Sequence, residues 1–484
     1  MGATLLCLAL AAEPEAAQID KRVTEALRAF HVPGAAVVVV RGHHTLVAGG
    51  YGVREQGKPQ PVTAHTVFPL ASCSKAFTTT LLARLVDDGV LGWDDPVRKH
   101  LPGFHLADPH ADALVTLRDL LTHRTGLGGH DLLWYRAAWP LDETLRRVTR
   151  LPLEYPFRAG YRYSSIMYLA AGRALEQAAD AKWDQLVRKR LCEPLGLTGV
   201  TFTTREIPPT AERASGHRLE RDGKLTVVPW YEITEPNPSG SVNATATDLA
   251  AWLKFHLSGG LGPTGQRIVS ATNLAETHTP QTIIRLEGLT RALNPDTVQL
   301  SYGMGWLIAD YRGKKVLTHG GMIDGFRVQV TLLPEEDVGI AVLANLHDTR
   351  MTAALTNSLI DWHCGLPAKD WNGYFRKLAA AEAAERAAAL QARALARKPD
   401  TRPSLPLAAF AGEYTHPAYG TATVSEADGR LTLKWSSFTC RLDHFEADTF
   451  RILDGQFEEQ LAVFGILAGQ AATLRFLEVE FKRK

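Results

Sequence analysis

Hydrophobic and polar positions follow two rhythms along this 484-residue chain. Residues 19–31 carry apolar side chains at helical spacing and run into Pro33-Gly34, which stops a helix. Ala35–Val40 follows as an unbroken apolar run rich in valine, the signature of a buried strand. Arg41–His44 turns the chain, and Thr45–Tyr51 returns it as a hairpin. From Phe68 to about Leu257 the pattern is mainly helical, broken by proline and glycine. Strand-like runs then return in close order at Met304–Asp310, Lys315–Thr318, Phe326–Leu333 and Val338–Asn345, a spacing that predicts an antiparallel meander. The economical architecture is α+β. One antiparallel sheet is built from both ends of a domain and flanked by helices, with a mostly helical insertion between and an active site at the seam of sheet and helices.

The pattern changes after Cys364. Residues 374–398 are rich in Ala, Glu and Arg and predict one exposed helix. Pro399–Pro406 holds three prolines and reads as a linker. From Leu407 onward strands are predicted at Thr421–Val424, Arg430–Trp435, Thr449–Leu453 and Thr473–Phe481, with turns at Asp428-Gly429 and Asp454-Gly455. The expected organisation is a leader-like segment at 1–18, a main domain at 19–365, a helical and Pro-rich connection at 366–406, and a small all-β domain at 407–484.

Charge and composition then narrow the function. Lys plus Arg number 53 and Asp plus Glu 52, so no electrostatic case exists for nucleic acid or an anionic membrane as partner. Five cysteines, an odd count without a C-x-x-C pair, argue against a disulfide framework and a thiolate zinc site. His100, His105, His110, His123 and His130 lack the H-E-x-x-H form, and the glycine-rich stretch Gly259–Gly265 lacks the Lys-Ser/Thr of a phosphate loop. No metal or cofactor is expected, and the partner is a small-molecule or peptide substrate. Oligomeric state is not read from the sequence. Beyond the terminus no apolar run reaches the ~18 residues that span a bilayer. Met1–Ala12 is apolar and uncharged and contains Ala9-Leu10-Ala11. It resembles the back half of a secretory signal whose basic start is missing, so a periplasmic or secreted protein is expected, with a cytoplasmic one as the alternative.

The strongest chemical signal is Ser72-Cys73-Ser74-Lys75 at the head of a helical run through Val86. A serine and a lysine three positions apart share one helix face, so the amine can sit beside the hydroxyl. Serine needs such a neighbour to become a nucleophile, and a helix start favours developing negative charge. Alone, the pattern also fits an N-cap serine followed by a surface lysine. Two more motifs change the balance: Tyr163-Ser164-Ser165, and His319-Gly320-Gly321 between two strand-like runs. In this order and at these separations, the three resemble the motif set of class C β-lactamases, D-alanyl-D-alanine carboxypeptidases, D-aminopeptidases and related esterases. Leu120-Leu121-Thr122-His123-Arg124-Thr125-Gly126-Leu127, Asp94-Asp95-Pro96-Val97 and Gly240-Ser241-Val242 are also similar to that family. The likeness spans roughly residues 20–365. Phe410-Ala411-Gly412-Glu413-Tyr414 and the strands after it resemble the lipocalin-like barrel appended to many members.

The resemblance implies roles. Ser72 is acylated, Lys75 takes or relays its proton, and Tyr163 is the acid/base for leaving group and water. The backbone N–H groups of Ser72 and Met322 form the oxyanion hole. Ser165, Gly320 and Gly321 line the substrate, and His319 stands opposite the nucleophile. Cys73 is read as a small buried neighbour and not a second nucleophile. Two positions depart from the family pattern. Ser165 replaces an asparagine, offering one hydroxyl where an amide offers donor and acceptor. His319 replaces the lysine of β-lactamases, removing a fixed cation for a substrate carboxylate. The expectation is a serine hydrolase favouring an ester or a D-amino-acid-type peptide bond. A β-lactamase is the alternative, and a non-catalytic ligand-binding or sensor protein is the alternative of another class.

Overall fold

A computed structural model describes residues 14–220 and 222–484. Residues 1–13, most of the leader-like segment and Cys7 with it, lie outside the described residues. The helices used below are α1 (Glu15–Phe30), α2 (Ser74–Asp87), α3 (Leu117–Leu121), α4 (Leu141–Val148), α5 (Ser165–Ala179), α6 (Ala246–Leu257), α7 (Met351–His363) and α8 (Trp371–Ala396). Two compact units result. One holds the chain up to Leu91 together with Ala179–Ala379, the other Gly92–Ala178 together with Ala380–Lys484.

The first unit is built on an eight-stranded antiparallel sheet. Its strands are β1 (Gly34–Arg41), β2 (His44–Gly52), β3 (Thr282–Ile284), β4 (Thr297–Tyr302), β5 (Leu307–Tyr311), β6 (Lys314–Ile323), β7 (Phe326–Leu333) and β8 (Val338–Ala344). Their spatial order is β2-β1-β8-β7-β6-β5-β4-β3, so both ends of the unit meet where β1 pairs with β8, Ala35 opposite Ala344. The predicted α+β sheet is therefore present, with its meander. Every residue of β8, and all of β1 except Arg41, is buried, because helices cover both faces. On one face Ile19, Val23 and Ala26 of α1 and Leu355 and Leu359 of α7 pack on Val37, Val39 and Ile340. On the other, Leu253 of α6 meets β8 so closely that a Cβ at Gly339 would press on it. Period-two alternation assigns odd and even residues of β1 to these two cores.

Three expectations are corrected. The strand placed at Met304–Asp310 is Leu307–Tyr311, since Gly305 sits at φ +79° in a turn, and Thr297–Tyr302 is an additional strand. The run Lys315–Thr318 extends to Ile323, so His319-Gly320-Gly321 lies inside β6 and not between strands. The run Thr473–Phe481 is two strands, because Leu477 and Glu478 turn the chain with φ of 57° and 59° despite being neither Gly nor Asn.

The second unit contains α3, α4, α5 and a closed antiparallel barrel. The barrel runs in chain order: β9 (Gly412–His416), β10 (Gly420–Ala427), β11 (Arg430–Trp435), β12 (Phe438–Glu446), β13 (Thr449–Ile452), β14 (Leu461–Leu467), β15 (Gln470–Phe476) and β16 (Val479–Arg483). Pairing of β9 with β16 closes it and leaves no free edge. Its core is packed with rings. Phe410, Tyr414, Phe450 and Phe464 form one cluster with centroids 5.0–5.6 Å apart, and Trp435, Phe438, Phe457 and Phe476 form another. Of α8, which leads to the barrel, only Trp371 and Phe375 are buried, as its Ala-Glu-Arg composition requires. Among the described residues no helix is long and apolar enough to cross a membrane.

Candidate active site

In the first unit Ser72 lies in a tight turn, Ala71–Cys73, that feeds α2. Ala71 is held at φ +47°, a left-handed conformation costing a non-glycine residue about 1–2 kcal/mol. The turn persists because its surroundings fix it. Leu70 N–H donates to Val242 O at 2.8 Å, Cys73 N–H to Leu70 O at 3.1 Å, and Val242 N–H to Ser74 Oγ at 3.0 Å. Helix α2 is buried along almost its whole length, with Phe77 stacked on Trp252 at 3.9 Å between centroids. It carries Lys75 into the interior, where the side chain is fully buried. Lys75 Nζ hydrogen-bonds Ser72 Oγ at 3.2 Å and donates to Ser239 O at 2.9 Å. The surface-lysine alternative is thereby removed, because a buried amine needs such partners.

The Ser239 carbonyl belongs to a turn, Asn237 to Ser241, that runs into the Gly240-Ser241-Val242 stretch. Asn237 Oδ1 accepts from Ser239 N and Oγ at 2.8 and 2.6 Å, and Asn237 N–H donates to Ser241 Oγ at 2.8 Å. All three residues are buried. The signal was present in Pro236-Asn237-Pro238-Ser239-Gly240, a dense set of turn residues, but nothing local ties that turn to Lys75.

Strand β6 brings the third motif to the same place. Cys73 Sγ donates to His319 O at 3.2 Å. A Cβ at Gly321 would collide with the Leu70 carbonyl, so the strand approaches the turn that holds Ser72 as only glycine permits. Met322 follows, half exposed, paired with Arg327. Burial pushes the Cys73 thiol up to about 12, which leaves it a protonated, inert neighbour.

His319 is buried, and its two nitrogens have defined partners. Nδ1 lies 2.8 Å from Gly320 O, which only accepts, so Nδ1 carries the proton. Nε2 is then the acceptor for the Tyr302 hydroxyl at 3.0 Å. Burial, with the Lys75 charge beside it, holds the imidazole down to about 3. Tyr302, itself fully buried on β4, was not foreseen, since its strand was not. The sign of the pH effect follows. Between pH 6.5 and 3 the unfolded chain binds a proton at this position and the folded chain does not, so acid favours unfolding there. Above that window His319 is neutral. The imidazole resonances of His319 are expected to stay fixed from pH 8 to pH 5 in an NMR titration; a shift centred near 6.5 would contradict this environment.

Tyr163 and Ser165 belong to the second unit. Ser165 opens α5 and is buried, and Tyr163 is half-buried in the extended segment before it. His123, in the loop after α3, holds this segment on both sides of Tyr163: its carbonyl accepts from Arg162 N–H at 2.9 Å and its Nδ1 from Ser164 N–H at 3.1 Å. Its ring lies 4.4 Å from that of Tyr163. The loop is anchored in turn by Asp119, wholly buried, which closes a capping box with Thr116 and pairs with Arg124 and Arg158 at 2.5 and 2.7 Å. Burial works to raise that carboxyl, but these partners bring it below its usual range. Among the described residues there is no cluster of three metal-ligating side chains.

Comparison with known proteins gives the following. A family model described as beta-lactamase matches residues 19–361, and one described as a domain of unknown function (DUF3471) matches residues 396–483. Unguisins hydrolase ungD of Aspergillus violaceofuscus (strain CBS 115571) is 29% identical over 468 residues, covering 89% of this chain and 82% of the relative. The octameric penicillin-binding protein homologue of Pyrococcus abyssi superposes with a TM-score of 0.62 at 20% identity, over 96% of this chain and 99% of the other. A D-stereospecific amidohydrolase from Streptomyces sp. superposes with a TM-score of 0.58 at 21% identity, over 73% and 100%. At such identities the two structures speak to the fold alone.

Proposed function

The chain belongs to the β-lactamase family of serine hydrolases, and on that premise we propose that it cleaves an ester or an amide of a D-amino-acid type through an acyl-enzyme on Ser72. The observation that carries this reading is the wholly buried Lys75 amine 3.2 Å from the Ser72 hydroxyl. In the proposed cycle Ser72 Oγ bonds to the substrate carbonyl carbon while its proton passes to Lys75, which enters this step as the neutral amine. Negative charge develops on the carbonyl oxygen, facing the N–H groups of Ser72 and Met322. Tyr163, in the role its motif implies, protonates the leaving oxygen or nitrogen as the carbonyl–leaving-group bond breaks. It then takes a proton from the water that attacks the acyl-enzyme, and Ser72 leaves as Lys75 returns the proton it took.

Two side chains set the proposed specificity. A neutral His319, hydrogen-bonded to Tyr302, occupies the place of the cation that would hold a free carboxylate. Ser165 offers a single hydroxyl to an acylamino group. Both disfavour β-lactams and peptides recognised by a terminal carboxylate. Similarity to a protein called an unguisins hydrolase supports hydrolysis as the reaction.

The test is a panel of kcat/KM values for p-nitrophenyl acetate and butyrate, D- and L-phenylalanine amide, and a chromogenic cephalosporin. Esters or the D-amide are expected to exceed the cephalosporin by at least tenfold. A cephalosporin turned over faster than both would overturn the specificity reading.

A further inference from the structure

We propose that the C-terminal barrel takes part in catalysis through one hydroxyl: Tyr419, acting through His130 and the loop that begins at His123, is a positioning residue for Tyr163. The proposal rests on the serine-hydrolase reading for the role of Tyr163. The contacts that carry it all lie within the second unit.

The loop has two strained ends. His123 and His130 adopt φ of 55° and 43°, left-handed values that a non-glycine residue keeps only when its surroundings fix it. At the first end, His123 takes the N–H groups of Arg162 and Ser164, which flank Tyr163. In the middle, a Cβ on Gly129 would lie 3.5 Å from the Tyr163 carbonyl oxygen, so the loop runs along the backbone of that residue. At the far end, His130 Nδ1 is hydrogen-bonded to Tyr419 Oη at 2.9 Å. His130 Nε2 is buried with no partner. Among the described residues the Tyr419 hydroxyl is therefore the anchor of that ring.

Tyr419 is fixed to the barrel. Its N–H donates to His416 Nδ1 at 3.1 Å, and its carbonyl accepts from Trp435 Nε1 at 2.9 Å. The loop carrying it is clamped to α4 and the turn after it, where Arg147 donates to Ala418 O at 3.2 Å and Arg150 to Pro417 O at 3.1 Å. Ser437 Oγ donates to Arg136 O, and Ala138 N–H to Ser436 Oγ at 3.0 Å. A hydroxyl mounted this rigidly acts as a strut: it sets where the His130 end of the loop sits, and the loop sets Tyr163. Burial keeps His130 below its usual range and pushes the Tyr419 hydroxyl up to about 12, so the bond joins two neutral groups and does not switch near neutral pH.

The test uses the full chain. Tyr419→Phe keeps the ring and deletes the hydroxyl. It is expected to lower kcat for a p-nitrophenyl ester about tenfold with KM within twofold, to displace the limb of the pH–kcat profile owed to Tyr163, and to speed amide hydrogen exchange at Ser164 about tenfold. His130→Ala should reproduce the loss. His130→Asn, which tolerates left-handed φ and presents an acceptor near the place of Nδ1, should restore most of it. A barrel that merely docks would lower the melting temperature and leave kcat, the pH profile and Ser164 exchange unchanged well below the melt, and that result overturns the proposal. If the wild type itself turns over no ester, the hydrolase reading fails. The exchange rate at Ser164 still decides the coupling.

Discussion

Ser72→Ala is expected to abolish turnover, lowering kcat on the order of 10⁶-fold and leaving a residue of activity from the oxyanion donors alone. In the proposed cycle the Ser72 hydroxyl attacks, and among the described residues neither neighbour in the turn can replace it. Cys73, the adjacent candidate, is buried, spends its Sγ–H on His319 O, and has a thiol pushed up to about 12. Ser74 Oγ is occupied by Val242 N–H inside the helix packing. Fold should survive the change. Among the described residues the Ser72 hydroxyl makes one hydrogen bond, with Lys75, and a typical hydrogen bond is worth about 1 kcal/mol net. Steady-state kinetics beside a thermal melt checks both halves. Activity within tenfold of wild type would place the nucleophile elsewhere.

Lys75→Met carries the second-largest effect. A positioned general base contributes about 10²–10⁴-fold, and kcat should fall by that amount with little change in KM. Removing a buried amine also leaves Ser239 O without one of its donors, so a lower melting temperature is expected with it. Lys75→Arg separates the two roles the amine can have. Guanidinium keeps the positive charge near His319 and Ser72 but does not give up its proton. If Lys75 is the base, the Arg variant is as slow as the Met variant. A return of activity in Lys75→Arg would mean that the charge alone matters and that the proton goes elsewhere. Pre-steady-state bursts on a p-nitrophenyl ester read this directly, since only acylation releases the first equivalent of product.

How much of this was legible in the chain depended on where the determining contacts lie. The Ser72–Lys75 pair is set by helical spacing, a local property, and the sequence displays it. Strands β1, β7, β8 and β11 were legible because valine-rich or alternating runs advertise burial on one face or both. Strand β4 was not: Thr297-Val298-Gln299-Leu300-Ser301-Tyr302 is half polar and gains its strand state from pairing with β5. The barrel strands β12 and β14 were passed over because their apolar positions are separated by charged residues or by the smooth run Leu461–Leu467, which fits several states. The turn at Leu477-Glu478 carries no turn residue at all, so only the pairing of β15 with β16 reveals it. In the site, His319 was found by its motif. Its neutrality depends on burial and on Lys75 beside it, and its tautomer on Gly320 O and Tyr302, none of which spacing encodes. The role of His123 is of the same kind: its motif was noticed, and its grip on both neighbours of Tyr163 appears only when α3 and α5 are folded together.

Acylation of Ser72 can be read from the mass of the protein. A p-nitrophenyl ester is mixed with the wild-type protein, quenched in acid within the first turnover, and the protein is weighed intact and mapped by peptide. A single acyl group on Ser72, absent from Ser72→Ala treated alike, is the result predicted. An adduct on another residue, or turnover with no covalent intermediate at Ser72 in this and a fluorophosphonate-trapped sample, would contradict the acyl-enzyme mechanism itself.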